Sequence, residues 1–397
     1  MELRPGYKKT EVGVIPEEWE VRKLKDVASF RTGPFGSALH KSDYTDDGVP
    51  IINPMHIVDG QLVPTRTMTV TENAAKNLAD FRLKPGDVII GRRGDMGRCA
   101  VVQGSQIGWL CGTGSLIIRS VGSDPNFLQR VLSSAKVVSA IEDTSVGSTM
   151  INLNQSTLGG LSIQFPPLPE QGVIAAALSD VDALLAKLDQ LIAKKRDIKQ
   201  ATMQQLLTGK KRLSGFSGVW EVKRLGEIAQ LYQPVTISQA DLKDDGYIVY
   251  GANGIIGRYD KYNHETWQTI ITCRGSTCGT VSKTVEKVWI TGNAMVINCD
   301  ANKDIDKLFL FHLLSGQDFS VCITGSGQPQ IVRSPLFEYS LKLPPTLDEQ
   351  TAIATVLSDM DAEIAALEAR RDKTRDLKQG MMQELLTGRI RLVGGKA

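Results

Sequence analysis

The sequence contains few of the residues from which metal centres are built. It has only four histidines in 397 residues, and its six cysteines are scattered without a Cys-x-x-Cys pair. Structural zinc sites use four Cys or His ligands at characteristic short spacings. The composition therefore argues against a metal site, and we expect none in this chain.

Sequence motifs of common enzyme reactions are also missing. The chain contains no GxxxxGK[ST] loop, no GxGxxG after a strand, no HExxH and no GxSxG. Asn53-Pro54 is followed by Met55, so the Asn-Pro-Pro-aromatic loop of amino-methyltransferases is absent as well. Paired aspartates stand in Asp-Asp-Gly contexts that are typical of solvated turns. We therefore predict a non-catalytic protein with no catalytic residues.

The chain also lacks a long apolar run and an excess of charge of one sign. No apolar stretch of 18 residues occurs and the N-terminus does not resemble a signal peptide, so we expect a cytoplasmic protein. The 46 basic and 44 acidic residues nearly cancel. If the protein binds nucleic acid, the positive surface must be local, or a partner must supply part of the phosphate neutralisation.

A long internal repeat is the main positive feature of the sequence. The segment from Glu170 to Leu213 returns without a gap at Glu349 to Leu392, and 24 of the 44 aligned positions are identical. Both copies end in Leu-Leu-Thr-Gly, and the second begins with Thr346 and Glu349 in capping-box spacing. The repeat predicts two nearly identical long helices.

Large apolar residues follow a heptad spacing in both copies, which indicates a narrow seam that packs along another helix. The first seam consists of Ile174, Leu178, Val181, Leu185, Leu188 and Ile192, and the second of Ile353, Leu357, Met360, Ile364 and Leu367. A lone helix cannot bury such a seam, so each seam is the natural partner of the other. An ordinary core helix is the alternative, although such helices are usually shorter.

A second repeat marks two globular modules. Ile15 to Phe30 reappears as Phe216 to Leu231, and both modules contain a glycine turn between short apolar strands, around Arg93-Gly94 and Arg274-Gly275. We therefore predict four segments: a module at 1–167, a spacer helix at 168–213, a module at 214–345 and a spacer helix at 346–392. The fold class is α+β.

Taken together, the two modules, the helices ending in LLTG, the entries PPLPEQ and PPTLDEQ, and the phrases YGANGIIGRYD and GRRGDMGR closely resemble the specificity subunit of type I restriction-modification systems. The resemblance covers essentially the whole chain. It implies that each module is a target recognition domain that reads one half of a bipartite DNA sequence. It also implies that the helices form an antiparallel coiled coil, related by a pseudo-two-fold axis, which sets the gap.

The resemblance further implies the partners. Two adenine-N6 methyltransferase subunits would dock on the coiled coil, and two motor-nuclease subunits would complete the restriction enzyme. S-adenosylmethionine, ATP and magnesium would belong to those subunits, so we expect no cofactor in this chain. Because the helices repeat, they should offer two equivalent docking surfaces to two identical partners.

Candidate DNA-reading residues are loop and turn side chains that can bond to base edges: arginine to guanine, and Asn or Gln to adenine. In the first module they are Arg92, Arg93, Arg98, Asn152 and Asn154, and in the second Asn253, Arg258, Arg274, Gln328, Gln330 and Arg333. Each of them could instead contact a phosphate or solvent. Gly94 and Gly275 are better interpreted as turn residues with positive φ.

Two other classes of function remain open at this stage. The modules could bind proteins or glycans in an adaptor that does not bind DNA, or the chain could be an enzyme with an unrecognised site. Strong dependence of binding on salt would favour DNA. DNA modification by the chain alone would favour an enzyme.

Overall fold

The computed structural model describes residues 4–34, 39–94, 96–143, 153–251, 254–325 and 329–392. Its contacts divide the chain into two compact units. Unit 1 consists of residues 1–187 and 371–397, and unit 2 of residues 188–370. Each unit therefore contains one globular module, part of the long helix that follows this module, and part of the other long helix.

Unit 1 is built from short strands and helices that precede the first long helix, α5. The strands are β1 Tyr7–Thr10, β2 Gly13–Pro16, β3 Glu20–Lys23, β4 Ala28–Thr32, β5 Tyr44–Thr45, β6 Val49–Ile52, β7 Ile57–Val58, β8 Gln61–Leu62, β9 Thr69–Val70, β10 Val88–Gly91, β11 Cys99–Val101, β12 Leu110–Cys111, β13 Ser115–Ser120 and β14 Ser162–Phe165. The helices are α1 Glu72–Asn77, α2 Pro125–Leu132, α3 Ala135–Asp143, α4 Gln155–Gly160 and α5 Leu168–Leu206.

Unit 2 repeats the scheme with fewer elements. Its strands are β15 Glu221–Arg224, β16 Gln230–Tyr232, β17 Tyr247–Gly251, β18 Gly254–Tyr259, β19 Thr269–Thr272, β20 Val281–Lys283, β21 Trp289–Ile290, β22 Ala294–Asn298, β23 Ile323–Thr324, β24 Gln330–Ile331 and β25 Ser340–Leu343. Its helices are α6 Leu225–Ile228, α7 Lys307–Ser315, α8 Arg333–Phe337 and the second long helix, α9 Leu347–Leu385.

The sheets show that the modules share one topology. An antiparallel four-stranded sheet has the order β4-β13-β10-β11 in unit 1 and β16-β22-β19-β20 in unit 2. A parallel pair accompanies it, β6 with β12 and β17 with β21. The strand that opens each module pairs with the strand that closes it, β3 with β14 and β15 with β25. The predicted strand pairs around the two glycine turns are confirmed.

The two long helices pack antiparallel inside each unit. In unit 2, Lys195 pairs with Glu363 and Lys199 with Asp361, so the residue numbers fall on one helix as they rise on the other. In unit 1, Lys378 of α9 forms an ion pair with Asp182 of α5, with 2.6 Å between Nζ and Oδ1. The coiled coil is therefore confirmed. All of the predicted seam residues are buried or half-buried.

The ends of the seams also belong to the hydrophobic cores of the modules. Ile174 and Leu178 belong to the core of unit 1 together with Leu385 and Leu386 from the end of α9. In unit 2 the core likewise takes in Ile353 and Leu357 of α9, and Leu206 and Leu207 from the end of α5. Each module therefore builds its core on the beginning of its own long helix and the end of the other.

A buried ion pair, which we call the clamp, ties the start of one long helix to the residues beyond the end of the other. In unit 1 the Glu170 carboxylate accepts from Arg391 Nε at 2.9 Å and Nη2 at 2.7 Å. In unit 2 Glu349 accepts from Arg212 at 2.5 and 2.6 Å. The predicted capping box is only half formed, because Thr346 Oγ1 accepts from the Glu349 amide at 3.4 Å while the Glu349 carboxylate binds Arg212.

The glycine of each LLTG ending lies against the tryptophan that opens a module. Gly388 has φ +70°, and a Cβ there would lie 2.5 Å from Pro16 and 3.2 Å from the Trp19 ring. Gly209 has φ +69°, and a Cβ there would lie 3.2 Å from the Trp220 ring. The glycine therefore ends the helix and also allows the backbone to approach the ring.

Equivalent polar contacts join a module helix to its long helix in the two units. Arg130 of α2 donates to Ser179 at 3.2 Å and pairs with Asp182 at 2.6 Å. At the corresponding place in unit 2, His312 Nε2 lies 3.1 Å from the Ser358 hydroxyl. His312 is only 2% exposed, and burial lowers its pKa to about 4.

The neutral His312 should make unit 2 sensitive to acid. Its folded pKa lies below the ordinary value of 6.5, so the unfolded state binds more protons between pH 6.5 and about 4. The stability linked to this group is complete above pH 6.5 and falls by at most about 1.4 kcal/mol per pH unit across that window. Urea unfolding can be compared at pH 6.5 and 5.0, with hydrogen exchange in unit 2 as the readout. The native chain should lose stability at the lower pH, and His312→Gln should lose less. An equal loss in both proteins would contradict the assignment.

Candidate functional site

In unit 1, the ends of three strands meet at one edge of the module. The amide of Gly112, just after β12, donates to the carbonyl of Ile52 at the end of β6, at 2.8 Å. The amide of Arg92, just after β10, donates to the carbonyl of Gly114, just before β13, at 2.8 Å. The loops that follow β6 and β10 therefore lie side by side, and we call this place the edge of unit 1.

The last loop of the module reaches the same edge. Leu153 donates its amide to the Arg92 carbonyl at 2.9 Å, and Arg92 Nε donates to the Leu153 carbonyl at 2.8 Å. Burial, and then the charge of Arg93, lower the pKa of Arg92. Arg92 thus braces the two loops from a half-buried position, whereas the Arg93 side chain beside it is exposed.

Asn154 lies at this edge, and its side-chain oxygen forms a hydrogen bond within the module. Its Oδ1 accepts from the Thr157 amide at 2.8 Å, so the residue is the N-cap of α4. An N-cap must leave the helical conformation and turn its side chain back onto the first turn. The amide nitrogen and the second lone pair of Oδ1 of this exposed side chain can still bind a ligand.

The edge of unit 2 is assembled in the same way. The Cys273 amide donates to the Asn293 carbonyl at 3.1 Å, and the Ile331 amide donates to the Cys273 carbonyl at 2.9 Å. The Gly275 amide donates to the Pro329 carbonyl at 3.2 Å, and Arg274 forms an isolated bridge with Gln330. The arginine-glycine turn again joins the last loop of the module.

Several predicted residues come together at these edges. Arg92, Arg93 and Asn154 meet in unit 1. Arg274 and Gln330 meet in unit 2, and Arg333 follows them as the first residue of α8, with its guanidinium 5.8 Å from the centre of the Phe337 ring. Arg274, Gln330 and Arg333 are all exposed. Gly94 and Gly275 have φ of +79° and +87°, as predicted for turn residues.

Other candidates lie elsewhere or cannot be placed. Arg98 lines a cavity of about 410 Å³ with Arg130 and Lys378. Arg258 lies on β18, where its Nη1 donates to the Gly246 carbonyl at 2.8 Å. Asn152, Asn253 and Gln328 lie outside the described residues.

Two exposed apolar residues at the edges were missed by the sequence analysis. Met55 follows β6 in unit 1 and is 60% exposed, and Ile255 on β18 in unit 2 is 61% exposed. Their local sequences, Asn-Pro-Met and Gly-Ile-Ile-Gly, put large apolar residues inside turn motifs. That combination was the signal that could have identified them, because turn residues are mostly small or polar.

Two neighbouring basic residues of α5 have partners on the other long helix. Lys195 pairs with Glu363 at 2.6 Å and Arg196 pairs with Glu368, both within unit 2. These side chains thus contribute to helix pairing. The arginines of the module edges are better candidates for contact with a polyanion.

Metal-binding clusters and membrane-spanning helices are both absent from the described ranges. No group of three or more His, Cys, Asp or Glu side chains in them is arranged to hold a metal ion. None of the helices in the described part of the chain combines the length and the apolar character that a bilayer span requires.

Comparison with known proteins assigns the family. The type I restriction modification DNA specificity domain matches residues 16–195 and 218–374. A putative type I restriction enzyme MjaX specificity subunit of Methanocaldococcus jannaschii is 27% identical, over 98% of this chain and 97% of that protein. The EcoKI specificity subunit of Escherichia coli K12 is 24% identical over half of this chain and 44% of its own length.

Solved structures share the fold. The S subunit of a type I restriction-modification system from M. genitalium has a TM-score of 0.61 at 16% identity, over 97% of this chain and 98% of that one. A chain from a study of complex assembly and conformational transition of the type I R-M system has a TM-score of 0.57 at 17% identity, over 95% and 99%. With the family matching both modules and the repeated fold in place, the chain belongs to the type I restriction-modification DNA specificity subunits.

Proposed function

We propose that each module of this specificity subunit reads one half of a bipartite DNA target through its edge, and that the chain itself catalyses no reaction. The observation that carries the proposal is the same in both units. An arginine-glycine turn is hydrogen-bonded to the last loop of the module, so that an exposed arginine stands beside polar loop residues on a braced backbone.

The edges carry different side chains, so the half-sites should differ. Unit 1 offers Arg93 and Asn154, and unit 2 offers Arg274, Gln330 and Arg333. Arginine suits guanine, and Asn or Gln suits adenine, in the major groove. The complete target should therefore be asymmetric, with an unread gap between its halves.

The long helices suit the roles of spacer and docking surface. Their repeated sequences and equivalent clamps provide two matched sites, which favours two copies of one partner. In our proposal these partners are adenine-N6 methyltransferase subunits, with two motor-nuclease subunits in the restriction enzyme. S-adenosylmethionine, ATP and magnesium would act in those subunits.

Arg93→Ala and Arg274→Ala test the proposal separately for each half-site. We expect each change to reduce discrimination about 10- to 100-fold at one or two positions of its own half-site only, because a bidentate arginine contact discriminates by about 1 to 3 kcal/mol. The measurement is adenine methylation across the genome of cells that contain each variant and the methyltransferase subunit.

Matched controls are Arg22→Ala and Arg224→Ala. The exposed Arg22 pairs with Glu20 on β3, and the exposed Arg224 pairs with Glu338 just after α8. Removing either arginine should leave the target sequence unchanged. Loss of both half-sites from Arg93→Ala or Arg274→Ala alone would indicate a folding role. An affinity for DNA that does not depend on salt would favour the protein-interaction adaptor.

A further inference from the structure

We propose that Met55 and Ile255 read thymine, each by placing its apolar side chain against the 5-methyl group of a thymine in its own half-site. This inference rests on the proposed function and adds to it a base contact that no arginine, asparagine or glutamine can provide. Of the four bases, thymine alone presents a methyl group in the major groove.

In unit 1 the loop that carries Met55 is held rigidly at the edge. Asn53 Oδ1 accepts from the Gly114 amide at 3.2 Å, and the Asn53 amide donates to His56 Nδ1 at 3.2 Å. Pro54 packs closely on Gly91 at the end of β10. A Cβ added at Gly91 would lie only 3.2 Å from the Pro54 Cβ. His56 is 1% exposed, so Met55 projects from a loop whose other side chains point inward.

In unit 2 the corresponding place is taken by the hairpin of β17 and β18. The Tyr250 carbonyl, next to the turn of this hairpin, accepts from the Thr291 amide at 3.0 Å. Thr291 lies two residues before Asn293, whose carbonyl accepts from the Cys273 amide beside the Arg274 turn. Ile255 pairs with Tyr250 across the hairpin, next to a bulge at which β18 has one extra residue, Ile256. Its neighbour Ile256 packs over Gly251 and is 48% exposed, and Ile255 is 61% exposed.

The position of the two residues separates them from ordinary exposed apolar side chains. Single apolar residues are common on protein surfaces and need no special account. Here the two modules use unrelated local structures, a proline loop and a β-hairpin. Each presents a large apolar side chain at the edge of its own unit. In both cases an exposed arginine that suits DNA stands on the neighbouring turn. The shared surroundings therefore point to DNA as the occupant.

The test replaces each thymine of the target, one at a time, by deoxyuridine, which lacks only the methyl group. The probes are duplexes that contain the methylated target, and the protein is the full chain assembled with its methyltransferase subunits. At one thymine in each half-site we expect the native complex to lose about fourfold in affinity, the effect of exposing one methyl group. Every adenine in a half-site has a thymine opposite, so such a position is always available.

The decisive measurement combines the base change with a protein change. In Met55→Ala the deoxyuridine penalty should disappear in the half-site of unit 1, and in Ile255→Ala it should disappear in that of unit 2. Val58→Ala and Val222→Ala, which also shorten exposed apolar residues, should keep the full penalty in both half-sites.

A deoxyuridine penalty that persists at every thymine in the Met55→Ala or Ile255→Ala complex overturns the assignment for that residue. Weaker assembly with the methyltransferase subunit, without any change in the deoxyuridine penalties, would identify a protein contact and also overturn it. Neither result affects the proposed function, which is tested separately by Arg93→Ala, Arg274→Ala and the salt dependence of DNA binding.

Discussion

Replacing Arg391 with alanine should destabilise unit 1 by about 3 to 5 kcal/mol, the usual cost of removing one partner of a buried ion pair. Its guanidinium holds Glu170, which is 2% exposed, and hydrogen bonds to that carboxylate raise the pKa of Arg391. Trp19 Nε1 also donates to the Glu170 carboxylate, at 3.1 Å. Without Arg391, the buried carboxylate must stay charged with one neutral donor or take up a proton.

Hydrogen exchange resolved along the chain is the suitable measurement, since it reports on each unit separately. Arg391→Ala should speed exchange in β3, β14 and the first turns of α5, and Arg212→Ala should do the same in the equivalent parts of unit 2. The control is Arg389→Ala, because Arg389 pairs with the half-buried Glu384 near the surface. Equal exchange in Arg391→Ala and Arg389→Ala would contradict a structural role for the clamp.

A second change in the same clamp separates charge from packing. Glu170→Gln combined with Arg391→Ala removes the unpaired buried charge, so this pair should be more stable than Arg391→Ala alone. The difference follows because most of the cost of breaking a buried pair lies in the charge left behind. A double variant as unstable as the single one would assign the loss to packing of the arginine.

Lengthening both long helices should change the target outright. Seven residues inserted after Leu188 and again after its repeat equivalent Leu367 keep the heptad seam in register and add about 10 Å of helix. Because base pairs rise by about 3.4 Å, the gap should grow by about three base pairs while both half-sites keep their sequences. Methylation at the original sites should be lost, and genome-wide mapping of methylated adenines would show the new spacing.

Inserting the same heptad into only one helix is the matched control. One helix would then have seven extra residues, two of them seam positions without a counterpart, so the helices could pair over only part of their length. We expect loss of methylation at the original and the lengthened targets alike. If the double insertion kept the original gap, the helices would not act as the spacer.

The sequence repeat predicted the long helices well because their signal is local and repeated. The predicted start near residue 168 agrees with α5 at Leu168–Leu206, and the LLTG glycines do adopt positive φ. Within unit 1, by contrast, the helical region at 125–143 is divided into α2 and α3, which are separated at Ser133 and Ser134. Such breaks are hard to predict, because serine is compatible with either a helix or a turn.

The candidate site was predicted only in part. The arginine-glycine turns and the last loops were recognised separately, but their hydrogen bonds join residues some 60 positions apart, as in Arg92 and Leu153. No local pattern records which loops meet. For the same reason Arg92 was expected to face a ligand, whereas its side chain is braced against a carbonyl and Arg93 is exposed.

By itself the sequence determined that the protein has two copies of one plan, with long heptad helices, glycine stops and arginine-bearing turns, because these features depend on the order of neighbouring residues. Only the tertiary structure decided that Glu170 binds Arg391 and that each module core includes the end of the other long helix. It also decided that Met55 lies beside an arginine turn in unit 1, and Ile255 beside an arginine turn in unit 2. Those contacts join distant parts of the chain. They form because buried charges must be paired and apolar helix ends must be covered, and the folded backbone alone decides which residues are close enough to do so.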